Sequence, residues 1–199
     1  MLSYSDLKPV KPTLKEVEEA VKTIIRWIGD DPEREGLKDT PARVVKSYAE
    51  LFDGYNKSID NMAASSFEEV GGYNDIVLLK DIPFFSHCEH HIVPIIGKAH
   101  IAYFPEKRVI GLSKIVRIVN LYAHRLQTQE KITAQIANGM EKVLHSRGVA
   151  ILVEGEHMCM SMRGIRTVNV KTITTSFTGV FSNISENQSR FMKMVGYDR

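Results

Sequence analysis

The chain has 199 residues, of which 43% are hydrophobic and 25% are charged, and its formal net charge is +2 at pH 7. This length and composition are typical of a globular domain with a substantial core and an appendage. The small net charge, without a run rich in lysine or arginine, argues against a nucleic-acid-binding protein. The longest aliphatic runs, such as residues 76–79, are far too short to cross a bilayer, so no membrane partner is expected.

Two helices are predicted in the first quarter of the chain. The first begins with a capping box at Thr13, and apolar residues then recur with the helical period until Gly29. The second is predicted to begin at Thr40, which is followed by a proline at the first helical position, and to end at Gly54. This quarter therefore reads as a helical hairpin that precedes the main domain.

From Asp75 onward, short β-rich runs separated by prolines predict strands. The predicted strands cover residues 76–79, 84–85, 97–104, 109–110, 149–153 and 167–177. The predicted helices begin at Ser113, at about residue 128 and at about residue 186. Strands in pairs around two consecutive helices favour an α+β fold, an antiparallel sheet with helices on one face. We expect a helical extension over residues 1–54 and a main domain over residues 55–199.

The N-terminal sequence lacks the charged and apolar blocks of a signal peptide, so a cytoplasmic protein is expected. The chain contains two cysteines, Cys88 and Cys159. A single disulfide between them is possible in principle. In a reducing cytoplasm both are expected to remain thiols, and metal ligation is the better use for them.

Each cysteine lies close to a histidine, in segments 88–91 and 157–159. Thiolate and imidazole groups at this spacing are typical of a zinc site. Three ligands, Cys88, His91 and Cys159, would leave the fourth coordination position open, as in catalytic zinc sites rather than structural ones. The sequence therefore predicts a zinc-dependent hydrolytic enzyme.

The side chains around these ligands leave alternatives open. Spacing alone does not decide between His90 and His91 as the ligand, and the other histidine would serve as an acid or base near neutral pH. Glu89 either orients an imidazole or takes part in catalysis. If the preceding strand continues to Cys159, then His157 and Cys159 face the same side, which places a second histidine beside the metal.

A phosphate-type anion site is predicted at the start of the central helix. Ser113 would cap this helix, whose N-terminus offers free backbone donors, and Lys114 and Arg117 lie one turn apart on one face. An ordinary cap followed by solvated charges is the alternative. Arg163 would bring another cation near the metal. For Arg43 the default interpretation is likewise a solvated surface residue.

The next predicted helix begins with Gln129 and Glu130. One interpretation of Glu130 is compensation of the helix dipole. The functional interpretation is recognition of a polar heterocycle, because a carboxylate accepts hydrogen bonds from the ring N–H and amino group of guanine. The phosphate-binding loop Gly-x4-Gly-Lys-Ser/Thr is absent, so any nucleotide must be held in another way.

In their order and spacing, these motifs closely resemble GTP cyclohydrolase I. The matching segments are residues 31–37, 40–44, 88–91, 111–117, 129–130, 157–165 and 174–176. The resemblance implies a tunnelling fold, a four-stranded antiparallel sheet backed by two long helices with a helical N-terminal extension. It also implies a homodecamer of two pentamers with active sites at the subunit interfaces. The implied reaction converts GTP to 7,8-dihydroneopterin triphosphate and formate, the first step of folate and pterin biosynthesis.

The resemblance also implies a role for each matching site residue. Cys88, His91 and Cys159 would bind zinc, and His90 and His157 would transfer protons. The implied substrate-binding residues are Glu130 and Gln129 for the guanine, Ser113 for the ribose region, and Lys114, Arg117, Arg163 and Arg43 for the triphosphate.

Two other functions compete with this one. The first is another pterin- or deazapurine-handling enzyme of the tunnelling fold, and the intact ligands and histidines together with Glu130 argue against it. The second is a non-catalytic zinc- and anion-binding protein, which predicts a closed site with four protein ligands. His87 and segment 122–125 differ from the residues expected there, which puts affinity more than activity in question.

Overall fold

The computed structural model describes residues 11–63, 66–67, 71–106, 109–144 and 146–197. Contacts divide the chain into two compact units, Met1–Leu51 and Phe52–Arg199. Among the described residues, no helix is both long and apolar enough to span a membrane.

The first unit contains two helices that pack on each other, α1 (Leu14–Trp27) and α2 (Thr40–Leu51). The predicted capping box of α1 is confirmed, because Thr13 Oγ1 accepts from the Glu16 backbone N–H while the Glu16 carboxylate accepts from the Thr13 N–H. The predicted start of α2 at Thr40 is also confirmed. The helix ends before the predicted Gly54, because residues 53–56 tighten into a 3-10 turn.

The second unit is an α+β domain. Its strands are β1 (Ser66–Phe67), β2 (Val77–Cys88), β3 (Pro94–Phe104), β4 (Val109–Ile110), β5 (Leu126–Gln127), β6 (Gly148–His157) and β7 (Lys171–Phe177). Its helices are α3 (Asp60–Ala63), α4 (Leu112–Ala123), α5 (Gln129–Leu144), α6 (Met158–Ser161), α7 (Gly179–Asn183) and α8 (Ser185–Val195).

The main sheet has the strand order β5-β2-β3-β6-β7. The four long strands pair antiparallel, and the two-residue β5 adds in parallel beside His87 and Cys88. The predicted α+β class, with a four-stranded antiparallel sheet and two long helices, is confirmed. Two predicted strands merge into β2, because Pro83 does not end it. Among the described residues that stretch of β2 pairs only with β3. The N–H that Pro83 lacks is therefore not needed for pairing with a second strand.

The sheet separates two buried clusters. Side chains alternate between the faces, so Ile101 and Ile151 pack with α4 and α5 on one face. Ala102 and Leu152 point to the other face and pack with Phe181 of α7, together with residues of α8. Helices were expected on one face only. That expectation holds for α4 and α5 and is wrong for the C-terminal helices, whose aromatic residues cover the opposite face.

Candidate active site

The ends of two strands bring three potential metal ligands together. Cys88 is the last residue of β2, His91 lies in the turn that follows, and Cys159 lies in α6 directly after β6. Their ligand atoms all lie within 4.8 Å of one another, and Cys88 Sγ is 3.9 Å from His91 Nδ1. We call these three residues the metal centre. They meet because β3 pairs with both β2 and β6 and so aligns the ends of those strands.

A tight turn returns His91 to Cys88. The Cys88 N–H donates to Val93 O at 2.9 Å, and the Ile92 N–H donates to Cys88 O at 2.9 Å. Ile92 has a φ of 53°, in the left-handed region that a β-branched residue rarely adopts. Such a conformation costs on the order of 1–3 kcal/mol and is characteristic of functional sites. The fold therefore holds this turn in a strained shape that keeps the imidazole beside the thiol.

Cys159 reaches the metal centre by a different route from the predicted one. The expectation that it continues a strand with His157 is wrong, since β6 ends at His157 and residues 158–161 form one helical turn. The reason is the length of the neighbouring strand. β3 begins at Pro94 and its pairing with β6 ends at Ile95, so the backbone beyond His157 has no ladder partner.

The donor set of the metal centre fits zinc. Two thiols and one imidazole are ligands that zinc prefers, and three protein ligands are typical of catalytic sites. Burial, followed by the proximity of Cys88, raises the pKa of the Cys159 thiol. A divalent cation among the three groups would counter this rise in pKa, because it stabilises both thiolates.

The neighbouring His90 and Glu89 have different surroundings. The His90 and His91 rings lie edge to face with centroids 6.4 Å apart, so they diverge as expected on a turn. The group of ligand atoms at metal-binding spacing includes His91 and not His90. The Glu89 carboxylate lies 3.6 Å from Lys131 Nζ in the first turn of α5, so it forms an ion pair there.

His157 contacts the beginning of α5. Its Nε2 lies 2.9 Å from Oε1 of Gln129, whose residue is only 1% exposed. Burial lowers the pKa of His157, and the nearby Glu130 carboxylate opposes this effect. The structure thus gathers a half-buried imidazole, an amide and a carboxylate next to the segment that carries Cys159.

A small cavity opens between α5 and the edge strand β7. Its volume is about 210 Å³, and it is lined by Glu130, Thr133, Ala134, Thr174, Thr175 and Ser176. In this cavity a carboxylate faces several hydroxyl-bearing side chains. Hydrogen-bond acceptors and donors of this kind can read the polar edge of a heterocycle.

The predicted cations occupy three different elements. Arg163 lies close enough to Cys159 to act on its pKa, which it lowers. Lys114 and Arg117 lie in α4. Arg43 belongs to α2 in the first unit, where its guanidinium lies 3.5 Å from the Asp39 carboxylate.

Ser113 does not cap α4, so this prediction is wrong. The helix begins at Leu112 and its N-cap is Gly111, which places Ser113 at the second helical position. Glycine is acceptable as an N-cap although it offers no side-chain acceptor. The Lys114 N–H donates to Gly111 O at 2.8 Å.

Sequence reasoning missed three residues that surround Gln129. Thr133 Oγ1 donates to Gln129 O at 2.9 Å and lies 2.7 Å from Thr174 Oγ1. A Cβ atom at Gly155 would lie 2.8 Å from Gln129 Oε1, so only glycine leaves room for this amide. A glycine inside a strand is a signal of close approach and could have drawn attention to this position.

The fold and the site together define an α+β enzyme with a three-ligand metal centre. Comparison with known proteins identifies the family. The sequence model of GTP cyclohydrolase I matches residues 17–196. The chain therefore belongs to the GTP cyclohydrolase I family. Its reaction is that of the family, the conversion of GTP to 7,8-dihydroneopterin triphosphate and formate.

Individual relatives agree with this assignment. The chain is 60% identical over 185 residues to GTP cyclohydrolase 1 of Allorhizobium ampelinum strain S4, and the match covers 93% of this chain and 92% of the relative. It is 59% identical over 185 residues to GTP cyclohydrolase 1 of Sinorhizobium fredii strain NGR234, covering 93% and 90% of the two chains. Among solved structures, the apo form of archaeosine synthase QueF-Like aligns with 54% of this chain and 96% of that chain, at a TM-score of 0.45 and 15% identity.

Proposed function

We propose that the reaction depends on zinc held by Cys88, His91 and Cys159. The observation that carries this proposal is the convergence of their ligand atoms within 4.8 Å, in a chain of this family. Zinc bound there supplies a Lewis acid that lowers the pKa of a water toward ~7, which makes a nucleophile available at neutral pH. The remaining chemistry falls to side chains of the chain itself.

We assign proton transfer to His157 and His90. Attack of one water at C8 of guanine opens the ring by breaking the first C8–N bond, and attack of a second water breaks the remaining C8–N bond, so that C8 leaves as formate. Each cleavage needs a proton on a departing nitrogen. An imidazole can accept a proton in one step and return it in the next. Burial favours the neutral form of His157, which suits it to accept a proton first.

We assign substrate binding to the side chains around the metal centre and the small cavity. The Glu130 carboxylate accepts hydrogen bonds from the N–H and amino group of guanine, and this is supported by its position in the lining of the cavity. Ser113 serves the ribose region. The proposed triphosphate-binding cations are Lys114, Arg117, Arg163 and Arg43. Several cations from separate segments suit the charge of a triphosphate.

We also propose that the active enzyme is a homodecamer of two pentamers with interface sites. A cavity of about 210 Å³ is smaller than the ~300–1,000 Å³ usual for small-molecule sites, so another subunit is needed to enclose a nucleotide. Within the described residues β7 has a strand neighbour on one side only, and such an edge is a template for pairing with another chain. Head-to-tail pairing around a rotation axis closes a ring.

Two further assignments belong to this proposal. The chain is organised as a helical extension over residues 1–54 and a catalytic domain over residues 55–199. The enzyme acts in the cytoplasm, where reducing conditions keep Cys88 and Cys159 available as thiolate ligands.

The direct test is incubation of metal-quantified protein with GTP, with formate release and dihydropterin absorbance followed together. Both products should appear with the wild type. Formate without dihydropterin would show that ring opening is separate from the later steps assigned to the histidines. No turnover by zinc-replete protein would exclude the proposed function and favour the rival substrate or a non-catalytic role. Native mass spectrometry of the same sample tests the decamer.

A further inference from the structure

The buried amide of Gln129 suggests a role different from guanine recognition. We propose that Gln129 is a positioning residue for His157, which it holds in the Nε2–H tautomer so that Nδ1 is left as the unprotonated nitrogen. This inference rests on the proposed function of His157. It reassigns Gln129 from the substrate to the catalytic imidazole.

The surroundings of Gln129 fix which end of its amide is which. Its Nε2 lies 2.8 Å from Thr172 O and 3.1 Å from Val153 O. Backbone carbonyls only accept hydrogen bonds, so the group between them must be the NH2. A reversed amide would set its oxygen against two buried acceptors, which costs several kcal/mol in order-of-magnitude terms. The orientation of the amide therefore follows from chemistry.

The amide orientation determines the tautomer of His157. Gln129 Oε1 faces His157 Nε2 at 2.9 Å and can only accept, so Nε2 must carry a proton. In a neutral imidazole the other nitrogen, Nδ1, is then the unprotonated one. The contact between Nε2–H and Oε1 is kept in both charge states.

The polar atoms of Gln129 are already hydrogen-bonded inside the protein. Its two N–H hydrogens face three acceptors, because Thr174 Oγ1 lies 3.2 Å from Nε2 in addition to the two carbonyls. Its oxygen is used by His157, and the residue is 1% exposed. A side chain that is buried and hydrogen-bonded in this way is poorly placed to meet guanine. The neighbouring Glu130 lines the cavity instead.

The test reads the tautomer directly. Zinc-loaded protein with 15N- and 13C-labelled histidine is studied by solid-state NMR, which tolerates a large assembly. The chain has 7 histidines, and the His157→Gln variant identifies the signal of His157 by its disappearance. We expect wild-type His157 to be protonated at Nε2 and unprotonated at Nδ1. A proton at Nδ1 in neutral His157 would overturn the inference.

Two variants disturb the amide in different ways. Gly155→Ala adds a Cβ 2.8 Å from Gln129 Oε1 and forces this oxygen to move, without changing Gln129 or His157. Gln129→Leu removes the acceptor altogether. In both, the His157 signal should show a mixture of tautomers. kcat for GTP should fall about 10- to 100-fold, as for partners that orient metal-site imidazoles, with KM within about threefold of the wild type.

Gln127→Leu is the matched control. Gln127 is also 1% exposed, and its amide also donates to a backbone carbonyl, Tyr122 O at 2.7 Å. This variant should lose stability as Gln129→Leu does, with the His157 tautomer unchanged. Equal loss of kcat in both glutamine variants would reduce Gln129 to a structural residue. A raised KM with unchanged kcat in Gln129→Leu would restore the role in guanine binding.

The readouts separate this inference from the proposed function of His157. The tautomer is measured without turnover. If His157→Gln retains full activity, the proposed proton transfer fails whatever the tautomer. If that variant is inactive while Gly155→Ala retains the wild-type tautomer and kcat, the positioning role of Gln129 fails alone.

Discussion

Two histidines, the half-buried His157 and the buried His100, lie on opposite faces of the same sheet. His157 on β6 faces α5, and His100 on β3 faces the side covered by the C-terminal helices. Burial lowers the pKa of both. Their partners differ. His157 has a fixed acceptor in Gln129, whereas His100 Nδ1 accepts from the Asp81 N–H at 3.3 Å. The buried Nε2 of His100 has no hydrogen-bond partner among the described residues.

Burial alone therefore does not identify a functional histidine. The neighbouring groups distinguish the two histidines, and those near His157 are the metal centre and the cavity lined by Glu130. His100 lies beside a bulge where Asp81 has a φ of 60°. Its surroundings are ion pairs of the sheet surface, such as Asp81 with Lys98 at 3.0 Å. One face therefore carries the proposed chemistry, and the other holds the C-terminal helices.

The largest effect should come from the metal centre. Cys159→Ala removes one thiolate, so bound zinc and formate release should both fall by at least about a thousandfold. Metal analysis and the GTP assay on the same sample measure the two losses. Met160→Leu, in the same helical turn, removes no ligand and should retain both. Full zinc content in Cys159→Ala would show that another residue supplies the ligand.

His157→Asn should lower kcat by about 10²–10⁴, the usual range for loss of a general acid or base. Its zinc content should stay at the wild-type level, which separates it from the cysteine variant. His100→Gln should leave kcat unchanged. Comparable kcat losses in the two histidine variants would contradict the division between the faces.

Sequence patterns predicted the ligands better than the path of the chain between them. Cys88 and His91 belong to one short segment, so the segment could be predicted as a ligand source, although its spacing alone left His90 and His91 as alternatives. The helical turn at Cys159 depends on where β3 begins, which is information from another part of the chain. The same holds for Gln129, since its partners Val153 and Thr172 lie on two distant strands. The family resemblance implied a substrate contact for Gln129, and its packing shows contacts inside the protein.

The opposite face should control stability rather than catalysis. Phe181 is fully buried, with its ring centroid 5.1 Å from that of Phe104 and 6.2 Å from that of Phe191. Phe181→Ala should lower the free energy of unfolding by about 3–5 kcal/mol because it leaves a cavity. Urea unfolding at a fixed protein concentration measures this loss. A fall in kcat larger than twofold at 25 °C, in protein that is still folded, would argue against the division.

The smallest effect is the pH dependence contributed by His100. Burial is the main cause of its lowered pKa, Lys80 and Lys98 act in the same direction, and Asp81 and Glu154 oppose them. Another group near this cluster is Tyr197, whose hydroxyl donates to Glu154. As pH falls below about 6.5, the unfolded chain binds a proton that the folded chain does not, so stability decreases. For one group the slope is at most about 1.36 kcal/mol per pH unit.

His100→Gln should therefore flatten the fall in the free energy of unfolding between about pH 7 and about pH 5. Glutamine keeps an acceptor for the Asp81 N–H and cannot titrate, so the variant changes protonation more than hydrogen bonding. Part of the slope should remain, because burial also lowers the pKa of His87 and His157. Urea titrations at a series of pH values give the two curves. Parallel curves would mean that the pKa of His100 is the same in the folded and the unfolded chain. Burial on this face would then not disfavour the charged imidazole.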